Sequence, residues 1–232
     1  AASLLHATAA AQAQSPPPTA QANAETTLAD ARLHRLQQDV EDFLLRVAER
    51  PGSFEPGEQS RTVDPFVRRF ENLLAADPEY VYTFILYGKF LRRIGELDRA
   101  NEVFVAANEI DPNIAVVKQQ IGNYLAEQGD FVLALRYLMA AVELEPKVAV
   151  YHYQIGLLLD HFRDPLLEKT ELTQSALERN LLDAFRQAVV LAPQNRQFRV
   201  RYAEAFFDVD RPDWFQALRQ WEKLAEAPES DV

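Results

Sequence analysis

The 232-residue sequence contains no cysteine. That removes disulfides, thiolate zinc sites, a cysteine nucleophile and a cysteine lipid anchor. Glycine is scarce, at seven residues, which disfavours Gly-rich phosphate loops and turn-dense all-β folds. Basic residues are in deficit: 24 Lys+Arg stand against 35 Asp+Glu, a net charge of −11 with a pI near 4.9. Nucleic acid and anionic membrane surfaces both call for a basic face, so neither is expected as the main partner. No apolar run reaches the ~18 residues of a membrane-spanning helix. What remains is 48% hydrophobic and 25% charged, close to the globular average, so a wholly disordered chain is not expected. The length suits one domain or one array of small units.

Residues 1–27 differ from the rest. They are rich in Ala, Gln and Thr, carry Pro16-Pro17-Pro18, and have too few large apolar residues to build a core. Ala11-Gln12-Ala13 has the small-x-small form of a signal-peptidase site, with Ala1–Ala10 as the tail of an apolar signal region. The expectation is an exported, periplasmic protein whose sequence starts inside a signal segment. The alternative is a disordered Ala-rich tail on a cytoplasmic one.

From residue 78 onward the chain repeats. Pro78, Pro112 and Pro146 recur every 34 residues, as do Gly88, Gly122 and Gly156. Ala100 with Ala134, Phe104 with Leu138 and Ala107 with Ala141 keep the same spacing. Within 81–114 the pattern predicts two helices. Phe84, Tyr87, Gly88 and Leu91 form the core-facing stripe of the first; Gly95 breaks it, and Leu97, Ala100, Phe104 and Ala107 line the second. Such a pair cannot bury its apolar stripe alone, and stacked pairs share a continuous core.

These residues resemble the tetratricopeptide repeat family, without a gap over 81–148 and with gaps over about 65–227. The resemblance implies an all-α solenoid of antiparallel helix pairs in a right-handed superhelix, with about four to five repeats. The predicted division is a disordered 1–27 and a repeat domain over 28–232, with clear units 81–114, 115–148 and 149–195. Degenerate units cover 28–80 and 196–229. Pro193 follows Pro146 by 47 residues rather than 34, so thirteen residues are inserted, near 161–173. Asp164-Pro165 reads as a helix N-cap with Pro behind it, and Ser175-x-x-Glu178 as a capping box. Asp64-Pro65 is expected to open a helix after a loop over Pro51–Thr62. Leu28–Arg50 is expected as the first helix of that unit, the alternative being a separate amphipathic cap.

No catalytic constellation, cofactor fingerprint or metal site emerges. His152 reads as a partly buried core histidine. Asp160-His161-x-x-Asp164 could offer three metal ligands, but a helix terminus followed by an Asp-Pro cap accounts for it. No serine sits in a nucleophile-elbow context and no phosphate-binding glycine motif occurs. Repeats account for nearly the whole ordered chain, so a non-enzymatic protein is expected.

The resemblance implies that first helices of successive units line a concave groove for a peptide or a partner helix. In the first clear unit the stripe opposite the core is Tyr82, Ile85, Leu86, Lys89 and Arg92/Arg93. The equivalents are Val116, Gln119, Gln120, Asn123 and Ala126; then Val150, Tyr153, Gln154, Leu157 and Asp160; then Gln197, Val200, Arg201, Glu204 and Phe207. Amides can pair with a peptide backbone, and tyrosines supply rigid contact area. Ile85, Val116, Val150, Leu157 and Val200 are expected as a contiguous exposed patch. The family includes a carboxylate clamp that grips the C-terminal tails of heat-shock chaperones. Asn123 matches an Asn of that clamp, but Gln119 and Ile85 stand where Lys is wanted, so that partner is not expected. The leading reading is a protein-binding scaffold serving envelope assembly. The alternatives are a self-associating structural module, docking through Leu28–Arg50 or the Trp214/Trp221 end, and a regulatory subunit of an enzyme.

Overall fold

The computed structural model describes residues 28–49 and 58–226. The expectations for 1–27, for 50–57 and for 227–229 lie outside the described residues. Every regular element within them is helical, and the chain divides between Pro112 and Asn113 into two compact units.

The first unit holds α1 (Leu28–Glu49), α2 (Glu58–Ala76), α3 (Val81–Arg93) and α4 (Leu97–Ile110). Leu33, Leu36, Val40 and Phe43 recur at three- and four-residue steps and are buried on one face of α1. Phe43 meets Phe66 of α2 at 5.0 Å between ring centroids, and Phe66 and Phe70 lie 5.9 and 5.6 Å from Phe90 of α3. Phe70 also stacks on Tyr87 at 5.0 Å. This chain of rings ties three helices together, each offset pair adding about 0.5–1.5 kcal/mol beyond its burial. At the margin, Arg69 pairs with Asp39 at 2.7 Å, and the Tyr80 hydroxyl donates to Asp30 of α1. The start of α2 corrects the sequence expectation: the helix opens at Glu58, and Pro65 sits inside it. Proline there forfeits the bond to the carbonyl four residues earlier and crowds that carbonyl with its ring.

The second unit holds α5 (Ala115–Glu127), α6 (Phe131–Leu144), α7 (Ala149–His161), α8 (Arg163–Lys169), α9 (Gln174–Leu191), α10 (Arg196–Glu204), a 3-10 turn (Ala205–Asp208) and α11 (Trp214–Glu226). Its core joins Leu138, Leu158, Leu159, Leu166, Leu177, Leu181, Phe185, Phe198 and Phe206.

The recurrent glycines explain the pairing. A Cβ on Gly88 would stand 2.7 Å from the Phe104 ring, on Gly122 3.0 Å from Leu138, and on Gly156 2.6 Å from Phe185. In each pair a bare backbone receives one large side chain from the second helix. Gly95 and Gly129 act differently: both have positive φ (88° and 83°) and end α3 and α5 in a left-handed turn. There Glu96 N donates to Leu91 O and Asp130 N to Leu125 O, both at 2.9 Å, closing the last carbonyls. The next position in this series is Arg163. A side chain disfavours the left-handed conformation by about 1–2 kcal/mol, and here the chain bends at Phe162 (φ −112°, ψ 32°) and continues as α8.

Two caps differ from expectation. Phe162, not Asp164, precedes α8, and Asp164 lies in its first turn. Thr173, not Ser175, caps α9, its hydroxyl accepting from Ala176 N at 3.2 Å. Both shifts are of two residues. A Thr before an apolar run competes equally with a Ser inside it, and tertiary packing of Leu177 and Leu181 chooses the start.

Candidate partner-binding faces

In the first unit, the sequence-predicted stripe on α3 splits. Tyr82, Lys89 and Arg93 are exposed, and Tyr82 lies 5.6 Å from the Tyr80 ring. Ile85, expected on the groove side, is buried together with Thr83. The reason is that α3 is flanked by α1, α2 and α4, so more than one stripe of its circumference is covered. Lys89 is held below the ordinary ammonium pKa by desolvation around it and then by the neighbouring Arg93 charge.

In the second unit, the predicted amides are not a solvated surface. Gln119, Gln120, Asn123 and Gln154 are all at most 5% exposed. Three of them form a ladder. Gln120 Nε2 donates to Gln119 Oε1 at 2.8 Å, and Gln119 Nε2 donates to Gln154 Oε1 at 3.0 Å, linking α5 to α7. The ladder is open at both ends: Gln120 Oε1 and Gln154 Nε2 have no hydrogen-bond partner among the described residues. Reversing all three amides exchanges the ends and still leaves one acceptor and one donor.

Tyr153, expected as groove contact area, is a core residue. Its ring stacks on Phe198 at 4.4 Å and meets Phe185 edge-on at 5.7 Å. Burial raises the pKa of its hydroxyl above the ordinary phenol value, opposed by a hydrogen bond with Gln197 and by Arg201. Arg201, expected as a free cation, bridges α7 to the 3-10 turn. It contacts Asp160 at 2.5 Å and Asp208 at 3.0 Å, with its guanidinium 4.8 Å from the Phe185 ring. Burial opposes its charge, but Asp160 and then Asp208 more than offset this, and the pKa is raised. Arg163 extends the network to Glu178 at 3.6 Å. Val116, Val150 and Leu157 are half-buried, the latter two packed against the core, and Val200 is half-buried as well. The expected exposed aliphatic patch is therefore absent from this face.

The Asp160-His161-x-x-Asp164 run is not gathered into a ligand set: Asp160 is held by Arg201 and Arg163, and His161 is exposed with its ring edge-on to Phe162. Among the described residues no group of three His, Cys, Asp or Glu could hold a metal, and no helix is long and apolar enough to cross a membrane. His152 is half-buried, its Nε2 2.8 Å from Pro146 O.

The exposed apolar surface of this unit lies elsewhere. Phe207 projects from the 3-10 turn, with its ring 5.6 Å from Trp214 and 6.4 Å from Trp221 of α11. The sequence pattern predicts Phe207 on the groove stripe, as a continuation of α10. The helix stops at Glu204, and the tighter turn that follows re-aims the ring toward α11. The sequence signal for this cluster was the Trp214/Trp221 spacing.

No family model matches the chain, and no curated protein matches its sequence. Solved structures do. A crystal structure of MamA matches with 21% identity over 75% of this chain and 99% of that one, at a TM-score of 0.56. MamA from Desulfovibrio magneticus RS-1, from residue 41 to its end, matches with 19% identity over 84% and 98%, at 0.58. YrrB, a TPR protein with an unusual peptide-binding site, matches with 14% identity over 85% and 92%, at 0.54. At these identities the likeness concerns the fold.

Proposed function

We propose that this chain, tetratricopeptide in fold, is a non-catalytic scaffold that binds an extended peptide segment of a partner protein. The observation that carries the reading is the open amide ladder of the second unit. A buried amide atom without a partner costs about 1–3 kcal/mol, and an apolar residue of the same size would avoid that. An extended backbone offers a C=O and an N–H at alternating positions. Rotation of the two end side chains out of their buried positions would let a peptide C=O accept from Gln154 Nε2 and a peptide N–H donate to Gln120 Oε1, the two ladder atoms that lack partners. YrrB, which shares the fold, has a peptide-binding site. The finer setting, envelope assembly in the periplasm, rests on the small-x-small run Ala11-Gln12-Ala13 alone.

The test is a displayed library of unstructured decapeptides panned against the parent chain and against Gln119→Leu/Gln120→Leu/Gln154→Leu. Leucines at all three positions remove the ladder whole and leave no amide half-paired, so the variant should unfold at about the same or a higher urea concentration. Peptides enriched by the parent should bind the variant at least tenfold more weakly in calorimetry. Equal binding by a folded variant would refute the ladder as the contact. Tyr153→Ala is unsuitable as a probe of binding, because removing a buried, stacked ring costs about 3–5 kcal/mol of stability.

A further inference from the structure

On α11 only Ala217 and Leu224 are buried. The rest of its apolar arc faces outward: Trp214 is 56% exposed, Phe215 77%, Leu218 57% and Trp221 37%, and Phe207 beside them is 64% exposed. A face of this size on a folded unit marks an interface. Its internal pattern says more. Trp214, Leu218, Trp221 and Ala225 are spaced four, three and four residues apart, the d-a-d-a order of a heptad seam.

We infer that this seam pairs with α11 of a second copy of the chain, antiparallel, about a two-fold axis that passes between residues 219 and 220. Reversal about that axis sets Leu218 of each copy against Trp221 of the other, and each Trp214 against the other's Ala225. Every layer then combines one a and one d position. The two widest side chains each meet a smaller one, so the seam complements its own reverse, as a two-fold interface requires. Parallel pairing would set Trp214 on Trp214 and Ala225 on Ala225, leaving one layer overfull and one empty.

Charge favours the same occupant. The chain carries −11, yet the polar residues around the seam on α11 are balanced, Arg219 and Lys223 against Glu222 and Glu226. In the antiparallel register Arg219 comes beside Glu222 of the second copy. Neither a strongly basic nor a strongly acidic partner is selected by such a rim. The area suffices for a weak dimer: with 150–250 Å² per aromatic side chain, the exposed fractions give about 500 Å² per copy and about 1,000 Å² in all.

The experiment uses the full chain and its only two tryptophans, both in the seam. Sedimentation equilibrium is run over a hundredfold range of protein concentration around 10 µM, with tryptophan emission recorded across the same dilutions. The expected result is a monomer–dimer equilibrium whose dissociation red-shifts the emission. Association should tighten as salt is raised, because two copies at −11 repel one another and salt screens that. Leu218→Glu, at a largely exposed position, should keep the helical circular dichroism and remain monomeric at the highest concentration. Three results would overturn the proposal. One is a parent that stays monomeric throughout. Another is a dimer that persists in Leu218→Glu with emission indifferent to dilution, which places the contact on another face. The third is blue-shifted emission in a monomer, which means that the chain covers its own seam.

Discussion

Gly156 offers a quantitative check on the helix pairing, because the substitution pits two known effects against each other. Replacing a mid-helix glycine with alanine gains about 1 kcal/mol of helix propensity. Here the new methyl would lie 2.6–2.8 Å from three atoms of the Phe185 ring, against the ~3.5–4.0 Å of a comfortable contact. The ring must therefore retreat by about 1 Å. It has no room to do so: it is fully buried, edge-on to Tyr153 and beneath the Arg201 guanidinium, which Asp160 and Asp208 hold in place. Overpacking of this kind costs about 1–3 kcal/mol, so Gly156→Ala should destabilise by about 1 kcal/mol net. Phe185→Leu imitates the Gly122/Leu138 pair one repeat earlier, where a Cβ would stand 3.0 Å rather than 2.6 Å from its neighbour, and a Leu can yield that distance more easily than a wedged ring. In that background Gly156→Ala should be close to neutral. A double-mutant cycle read by urea denaturation should thus show a favourable coupling of about 1 kcal/mol. Additivity within about 0.5 kcal/mol would refute the close-approach argument. Gly129→Ala is the control: it has open space around it and positive φ, so it should lose about 1 kcal/mol from backbone strain alone, with no coupling to any side chain.

Other consequences are testable in the same way. Tyr151 is buried, and burial followed by the Glu145 charge raises its pKa above the usual 10.0. Below pH 10 both states keep the proton and nothing changes; above it the unfolded chain ionises first, so stability falls by about 1.4 kcal/mol per pH unit. Tyr151→Phe should leave stability at pH 7 within about 1 kcal/mol and reduce the loss between pH 9 and 11.5 by about 2 kcal/mol, measured by urea midpoints. Equal alkaline losses in parent and variant would refute it. Arg201→Met should destabilise by about 1–3 kcal/mol by stripping Asp160 and Asp208 of a charged donor. Arg201→Met/Asp160→Leu should recover part of that, since an apolar pair needs no compensating charge; no recovery would count against the pairing.

The helix pairs were legible because the 34-residue spacing records a physical requirement. Each Gly needs its large partner, so Gly88 with Phe104 and Gly122 with Leu138 appear sixteen residues apart, and Gly156 finds Phe185 thirteen residues further along. The faces were less legible. A strip drawn opposite the core assumes one covered side, whereas an inner first helix is covered on several. That is why Ile85, Gln119, Gln120 and Asn123 proved buried. Polarity misleads in the same direction: Gln and Arg read as surface, but Gln119 finds Gln154, and Arg201 finds Asp160 and Asp208, in other elements. The sequence separation of such pairs has no period to betray it. Both caps lie two positions before the expected residue, because several candidates satisfy the same rule.

Arg163, in the place where two earlier helices end on glycine, also bears on the order in which the second unit assembles. A left-handed glycine turns the chain at once, so α5 and α6 meet through a loop of a few residues. Without it, α7 must wait for α8 and the segment beyond before α9 can deliver Phe185 to Gly156. The added loop entropy is small, about 0.6 kcal/mol per doubling of loop length, but contacts distant in sequence form late. The α5–α6 hairpin is thus expected to form ahead of the α7–α9 pair.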